Sequence, residues 1–130
     1  MPADHVPVSR QYLAIAVAGN RHLERDFDGL RGDHGDLAAA RAYLRDAAAT
    51  ERLFDERLLN LHLPASAEVI ARLLVSANES RARLTDKAAG STSFAELRGF
   101  ESQLTAANVP VEDAVRVIRS MLGLPPPETS

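Results

Sequence analysis

The sequence predicts an all-α protein, an antiparallel up-down-up-down four-helix bundle. Its apolar content is drawn mainly from Ala and Leu, with aromatic residues at only 5%, which favours helix over sheet by intrinsic propensity. Four stretches repeat apolar residues at three- and four-residue steps, the mark of a helix with one buried face. The turns between them are a few residues long, so each helix must lie beside its predecessor and run the other way. A length of 130 residues matches one domain. That domain is expected over 9–123, between a loose segment at 1–8 with Pro2 and Pro7 and a Pro-rich tail at 124–130.

Helix one is expected to start after Ser9, an N-cap residue, with Val8 and Leu13 at the offsets of a hydrophobic staple. Its stripe is Leu13, Ala16, Leu23, Phe27 and Leu30, and Gly32 closes it as a C-cap glycine. Asp36 caps helix two after the turn Asp33-His34-Gly35, and the stripe runs through Leu37, Ala40, Leu44, Ala47, Phe54, Leu58 and Leu61. Pro64 stops that helix and can open the next, because a first turn does not need the missing N–H. Helix three carries Ile70, Leu73, Leu74, Ala77, Leu84 and Ala88, and stops at Gly90.

Ser93 and Glu96 form a capping box for helix four. The stripe there is Leu97, Phe100, Leu104, Val111, Val115, Ile118 and Leu122, closed by Gly123 and Pro125. Pro110 breaks the local rule, because it frees the Ala106 carbonyl and disfavours helical geometry at Val109. Two outcomes fit: one kinked helix, or a break at which Asn108 caps a new helix. The kink is favoured, since an unbroken span from Phe94 to Leu122 matches helices two and three in length.

Charge and composition remove several functions. A net charge of -3, with arginines spread along every helix, leaves no footprint for a phosphate backbone, so no nucleic-acid partner is expected. The absence of cysteine excludes disulfides, thiolate metal sites and cysteine catalysis. The longest early apolar run, Tyr12 to Gly19, is far short of the ~18 residues a membrane span needs. The opening Met1-Pro2-Ala3-Asp4 fits a native start, which implies a cytoplasmic home. It equally fits prior removal of a targeting segment, which implies an extracytoplasmic one.

The informative residues are polar ones where a stripe calls for an apolar side chain. Asn20 falls between Ala16 and Leu23, Glu51 between Ala47 and Phe54, and Asn108 between Leu104 and Val111. Asn78 sits beside Ala77 on the shoulder of its stripe. All four lie near the middle of their helices, so antiparallel packing is expected to gather them into a polar layer halfway along the bundle. A buried amide or carboxylate without partners costs about 1–3 kcal/mol or more, so these groups need one another, the backbone or water. Asn108 has a local duty near the carbonyl that Pro110 frees. Asn20, Asn78, Arg52 or Arg81 can donate to Glu51; without a cation nearby its pKa should rise. The layer either fixes helix register, as single polar residues do in coiled coils, or forms a small polar pocket at mid-bundle.

The stretches Ala49-Thr50-Glu51-Arg52, Ala77-Asn78-Glu79 and Leu104-Thr105-Ala106-Ala107-Asn108-Val109-Pro110-Val111 carry a resemblance, together with the closing Leu122-Gly123-Leu124-Pro125-Pro126. They resemble small helical proteins of actinobacteria that are exported or lipid-anchored and whose function is uncharacterised. The resemblance implies an extracytoplasmic home and brings no catalytic residue with it.

Motifs for chemistry are missing. None of His5, His22, His34 or His62 follows a Glu at the spacing of a di-iron bundle. His22 is expected on a helix face, His62 as a cation at a helix C-terminus, and Asp33-His34-Gly35-Asp36 as a turn with a cap rather than a metal loop. There is no nucleophile elbow, phosphate loop or H-E-x-x-H. Glu51 with Asp55, or Glu101 with Glu51, are the carboxylate pairs weighed as acid and base, and Asp46 and Glu56 with Arg45, Arg52 and Arg57 read as a solvated face. No catalytic residue, metal ligand or cofactor is therefore assigned. The expectation is a non-enzymatic binding or interaction module at the cell envelope whose partner is a protein or a small molecule. A small-molecule-binding bundle centred on Glu51 is second, and an enzyme using buried carboxylates third. A monomer is the default, with self-association competing if Leu53, Leu59, Val75 and Val117 form an outer apolar patch.

Overall fold

The computed structural model describes residues 6–32 and 35–127, with backbone alone for 30–32. Its elements are α1 (Val8–Gly32), α2 (Leu37–Leu59), α3 (Ala65–Ala89), the short α4 (Phe94–Arg98) and α5 (Glu101–Met121). Among the described residues there is no strand, and no helix is long and apolar enough to cross a membrane. Helix α1 packs on α2, α2 on α3 and α3 on α5. The α2–α3 pair is the most extensive, because small residues dominate the buried faces: Ala40, Ala47 and Ala48 on one, Ala67, Ala71, Ala82, Ala88 and Ala89 on the other.

Two apolar clusters mark the ends of the bundle. One joins Tyr12 and Ala16 of α1, Leu58 of α2, Ala71 and Leu74 of α3, and Val111 and Ile118 of α5. The other joins Leu44 of α2 with Ala88 and Ala89 of α3, and Leu97, Phe100 and Leu104 pack against it. Along α2 the chain runs from the second cluster to the first, along α3 back again, and along α5 to the first once more. That alternation is the up-down-up-down order. Fully buried Leu58, Leu74 and Ile118 each contribute roughly 1.5–3 kcal/mol through removal from water. Helices α1 and α5 meet through side chains of the first cluster, while their backbones stay further apart than those of the other adjacent pairs.

The caps follow the sequence closely. Asp36 accepts a hydrogen bond from Ala39 N at 3.0 Å, and Ser93 Oγ one from Glu96 N at 3.1 Å. Glu96 completes its box differently, by accepting from Thr92 Oγ1. At the end of α5, Gly123 is left-handed with φ 72°. Its N–H reaches Ser120 O and that of Leu124 reaches Arg119 O, the paired bonds of a Schellman motif. The segment after it is held down: Leu124 packs against the first cluster and Arg119 Nε donates to Pro125 O at 2.7 Å. The expected loose tail is therefore folded back as far as Pro127.

Several expectations are corrected. Helix α1 starts at Val8, with Pro7 O accepting from Arg10 N and Gln11 N, so Ser9 lies inside the helix. Among the described side chains of α1 the most buried is Tyr12, while Phe27 is exposed; the true stripe is rotated by about one residue from the expected one. The side chain of Leu30, and the turn residues Asp33 and His34, lie outside the described residues. On α3 the stripe runs through Ala67, Ala71, Leu74, Asn78, Ala82 and Thr85, which places Asn78 at its centre and leaves Leu73 exposed.

The last helix is bent, but at Gly99–Phe100 rather than at Pro110. There Gly99 N is shared between Ala95 O and Glu96 O, and Phe100 N bonds Leu97 O, a tightened turn at the residue with the weakest helix preference in the stretch. Pro110 sits within an uninterrupted α5. Both Pro110 and Ala106 are exposed, so the carbonyl that proline frees faces water and needs no protein donor.

Candidate functional site

Between the two apolar clusters lies a polar layer built on α2, α3 and α5. Glu51, Asp55, Asn78 and Thr85 are all buried, Glu51 at 4% and Asn78 at 3% exposure. Residues 51 and 55 are one turn apart on α2, and 78, 81 and 85 share a face of α3, so helical spacing alone stacks them. Arg81 is the hub. Its guanidinium donates to Asn108 Oδ1 at 3.0 Å and to Asn78 Oδ1 at 3.4 Å, and Asn78 Nδ2 donates to Asp55 Oδ1 at 2.8 Å. The Asn78 amide can have only this orientation, since arginine offers donors alone and a carboxylate acceptors alone. Thr85 Oγ1 turns back to Arg81 O within its own helix.

Glu51 is the exception. Its Oε1 lies 3.0 Å from Arg81 Nε, but off the direction of that N–H, so the contact is an ion pair and not a hydrogen bond. Its Oε2 is buried with no hydrogen-bond partner among the described residues. Burial pushes the Glu51 carboxyl up to about 7, outweighing the nearby Arg81 charge, and Asp55 adds to the rise. Asp55 is pushed up to about 6 by burial, against the stabilising Asn78 hydrogen bond. The sequence tied a raised Glu51 to the lack of a cation; here the cation is present and desolvation still dominates.

Of the four residues expected in the layer, Glu51, Asn78 and Asn108 come together and Asn20 does not join them. Asn20 is exposed on α1, at the edge of the cleft described next, outside the network's hydrogen bonds among the described residues. Asn108 is half-buried and serves Arg81 across the helix interface, not the carbonyl freed by Pro110. Arg52, a candidate donor to Glu51, instead bridges to Glu79 and Asp86 of α3. Thr85 was missed, and Asp55 was seen only as a possible partner of Glu51. The signal for Asp55 was its i+4 relation to Glu51 on the α2 stripe.

Two clefts meet at Glu51 and Arg81, which line both. One, of about 100 Å³, is walled by Tyr12, Phe54, Leu74, Val111 and Val115 and edged by Asn20, Arg119 and Pro127. The Tyr12 and Phe54 rings stand edge to face, centroids 6.3 Å apart. The other, of about 360 Å³, is lined by Leu23, Phe27, Leu44, Glu101, Leu104 and Asn108 among others. The wide α1–α5 seam leaves this room.

A second polar cluster lies at the α1–α2 seam. His22 and Asp26, one turn apart on α1, face Asp46 of α2. His22 Nε2 hydrogen-bonds Asp46 Oδ2 and lies 3.9 Å from Asp26 Oδ2. Burial and the neighbouring Asp46 push Asp26 up to about 6, while the hydrogen bond with Asp26 holds Asp46 below its ordinary value. The sequence places His22 on a helix face and Asp46 on a solvated one; the helix pairing brings the two together.

Compared with known protein families, with curated proteins and with solved structures, the chain matches none of them.

Proposed function

We propose that this bundle is a non-enzymatic binding module for a small amphipathic molecule, held in the α1–α5 seam with a hydrogen-bond donor against Glu51. The observation that carries this is the difference between Glu51 and its neighbours. Asp55, Asn78, Arg81 and Asn108 hydrogen-bond one another across α2, α3 and α5, with only Arg81 Nε, the atom beside Glu51, left without an acceptor among the described residues, which is close to what a register-fixing layer requires. Glu51 adds nothing to that network beyond a misaligned ion pair, keeps one buried oxygen without a donor, and stands where two clefts meet. Leaving such an oxygen unpaired costs on the order of 1–3 kcal/mol, a cost that a ligand's N–H or O–H removes.

The walls indicate the rest of the ligand. Tyr12, Phe54, Val111 and Val115 suit an apolar or aromatic body, and an aromatic pair beside a carboxylate suits a cationic head. An engineered apolar cavity of about 150 Å³ holds benzene, so the smaller cleft, about 100 Å³, takes a fragment of that order with the remainder of the molecule extending along the seam. A set of aryl-alkyl amines and their isosteric carboxylates, tested by thermal shift on the parent and on Glu51→Gln, decides the matter. Saturable stabilisation of the parent by an amine, lost in Glu51→Gln, supports the proposal. Equal stabilisation of both proteins, or none by any member of the set, overturns it.

A further inference from the structure

We propose that His22, Asp26 and Asp46 form a binding site for a divalent transition-metal ion of the zinc class, with open coordination positions toward solvent. The ligand atoms, His22 Nε2 and one carboxylate oxygen from each aspartate, all lie within 4.8 Å of one another. An ion bound at about 2.0–2.2 Å to imidazole nitrogen and carboxylate oxygen places such atoms roughly 3–4 Å apart, so small side-chain adjustments complete the site. Two of the ligands are a turn apart on α1 and the third comes from α2, which makes the site depend on the fold and not on one helix alone.

Proximity of acidic groups is common without any ion, and here a separate observation distinguishes the cluster. Asp26 is 7% exposed, and its Oδ2, the oxygen turned toward His22, meets no N–H or O–H donor among the described residues, so that only a proton shared with Asp46 could bond it within the protein. A carboxylate withdrawn from water and lacking a donor is costly unless a cation or a proton meets it. Two occupants can do so: a metal ion shared by the three side chains, or a proton that Asp26 donates to Asp46. His22 and Asp46 are each about half exposed, with side-chain exposures of 42% and 49%, and both line a groove at the same seam. An ion therefore has a route in and water can fill its remaining positions. Arg25 is the charge that opposes binding, since it acts on both aspartates.

The donor set fixes the class of ion. One imidazole nitrogen with two carboxylates suits zinc, cobalt and manganese, whereas magnesium and calcium favour oxygen ligands alone and cuprous copper favours sulfur. Three protein ligands with an open position is also the arrangement of zinc sites that exchange water.

The test is a titration of the purified, chelator-treated protein with Zn²⁺ by calorimetry and with Co²⁺ by visible absorption. The parent, His22→Ala, Asp26→Asn and the control His62→Ala are compared, after far-UV circular dichroism establishes that each is helical. One ion per chain is expected, with affinity reduced at least about tenfold in His22→Ala and Asp26→Asn and unchanged in His62→Ala. Millimolar Mg²⁺ should fail to displace it. Should Asp26→Asn not fold, His22→Ala decides alone, because it alters a half-exposed position. The absence of saturable binding by the parent overturns the site and leaves the shared proton as the occupant. So does binding that His22→Ala leaves within twofold of the parent.

Discussion

Glu51 and Arg81 form an ion pair that is close without being aligned: Oε1 and Nε are 3.0 Å apart, yet Nε donates to no acceptor. Among the described residues the pair is nonetheless the only close contact that ties Glu51 to the hydrogen-bonded network, and Arg81 also holds Asn78 and Asn108. Removing the cation strands all three. Arg81→Met should destabilise the protein by about 3–5 kcal/mol at pH 8, the usual consequence of leaving a buried charge without its partner. At pH 5, where Glu51 is protonated, the loss should be smaller by about 1 kcal/mol, since the parent carboxyl itself titrates at about 7 and only the interval up to pH 8 remains to separate the two proteins. Urea unfolding at the two pH values measures both quantities, and an equal loss at each would show that Glu51 is not the group left uncompensated.

Glu51→Gln separates the charge from the shape. The Glu51 carboxyl titrates near its ordinary 4.5 in the unfolded chain and at about 7 in the folded one. Between those values the folded state holds the extra proton, so the contribution of Glu51 is fully present at low pH and is lost as pH rises through about 7. Glutamine has no such dependence. Relative to the parent, Glu51→Gln should therefore gain about 2 kcal/mol of stability on going from pH 5 to pH 8. Asp55, raised in the same direction, keeps a residual slope in both proteins. Stability curves that stay parallel across this range would mean that Glu51 is not desolvated in solution.

By sequence Asn20 falls within its stripe and Asn78 on the shoulder of its own, and the fold reverses the two. Asn78 bridges Asp55 and Arg81 in the core, so Asn78→Leu takes the hydrogen-bond donor from the buried Asp55 carboxyl and one acceptor from Arg81, and should cost about 2–4 kcal/mol. Asn20 is exposed, and Asn20→Leu should fall within about 0.5 kcal/mol of the parent. Chemical denaturation of the two variants side by side tests the contrast; similar losses in both would place Asn20 inside the layer after all.

The same pair shows what sequence could and could not decide. Period, caps and turn residues located the four long helices, because Asp36, Pro64, Gly90, Ser93 and Gly123 act through local backbone chemistry that a sequence displays. Rotation of a helix about its axis is not local. On α1 an alanine-rich run let Leu13 or Tyr12 serve equally as the inward residue, and the structure buries Tyr12, carrying Asn20 to the surface. Asn78 looked like a shoulder for the mirror-image reason, since Leu73 and Leu74 compete and Leu74 wins. Pro110 had the stronger local signal for a bend, but an exposed helix face tolerates the lost bond, while Gly99 lies where the chain must turn onto Leu44 and Ala88. The His22–Asp46 contact was invisible because it depends on how α1 pairs with α2, which no spacing within either helix records.

That pairing offers its own test at Gly29 of α1, where the ring of Tyr43 from α2 lies so close that an added Cβ would overlap it. Alanine in a helix interior ordinarily gains about 1 kcal/mol over glycine. Here the gain is opposed by displacement of a packed ring, an overpacking cost of roughly 1–3 kcal/mol. Gly29→Ala should thus be neutral to destabilising, whereas in a Tyr43→Leu background, with the ring gone, the same change should stabilise. The double-mutant cycle is expected to give a coupling of about 1 kcal/mol or more between the two sites. Additive effects would mean that Tyr43 does not rest on Gly29, and the α1–α2 register that brings His22 to Asp46 would lose its support.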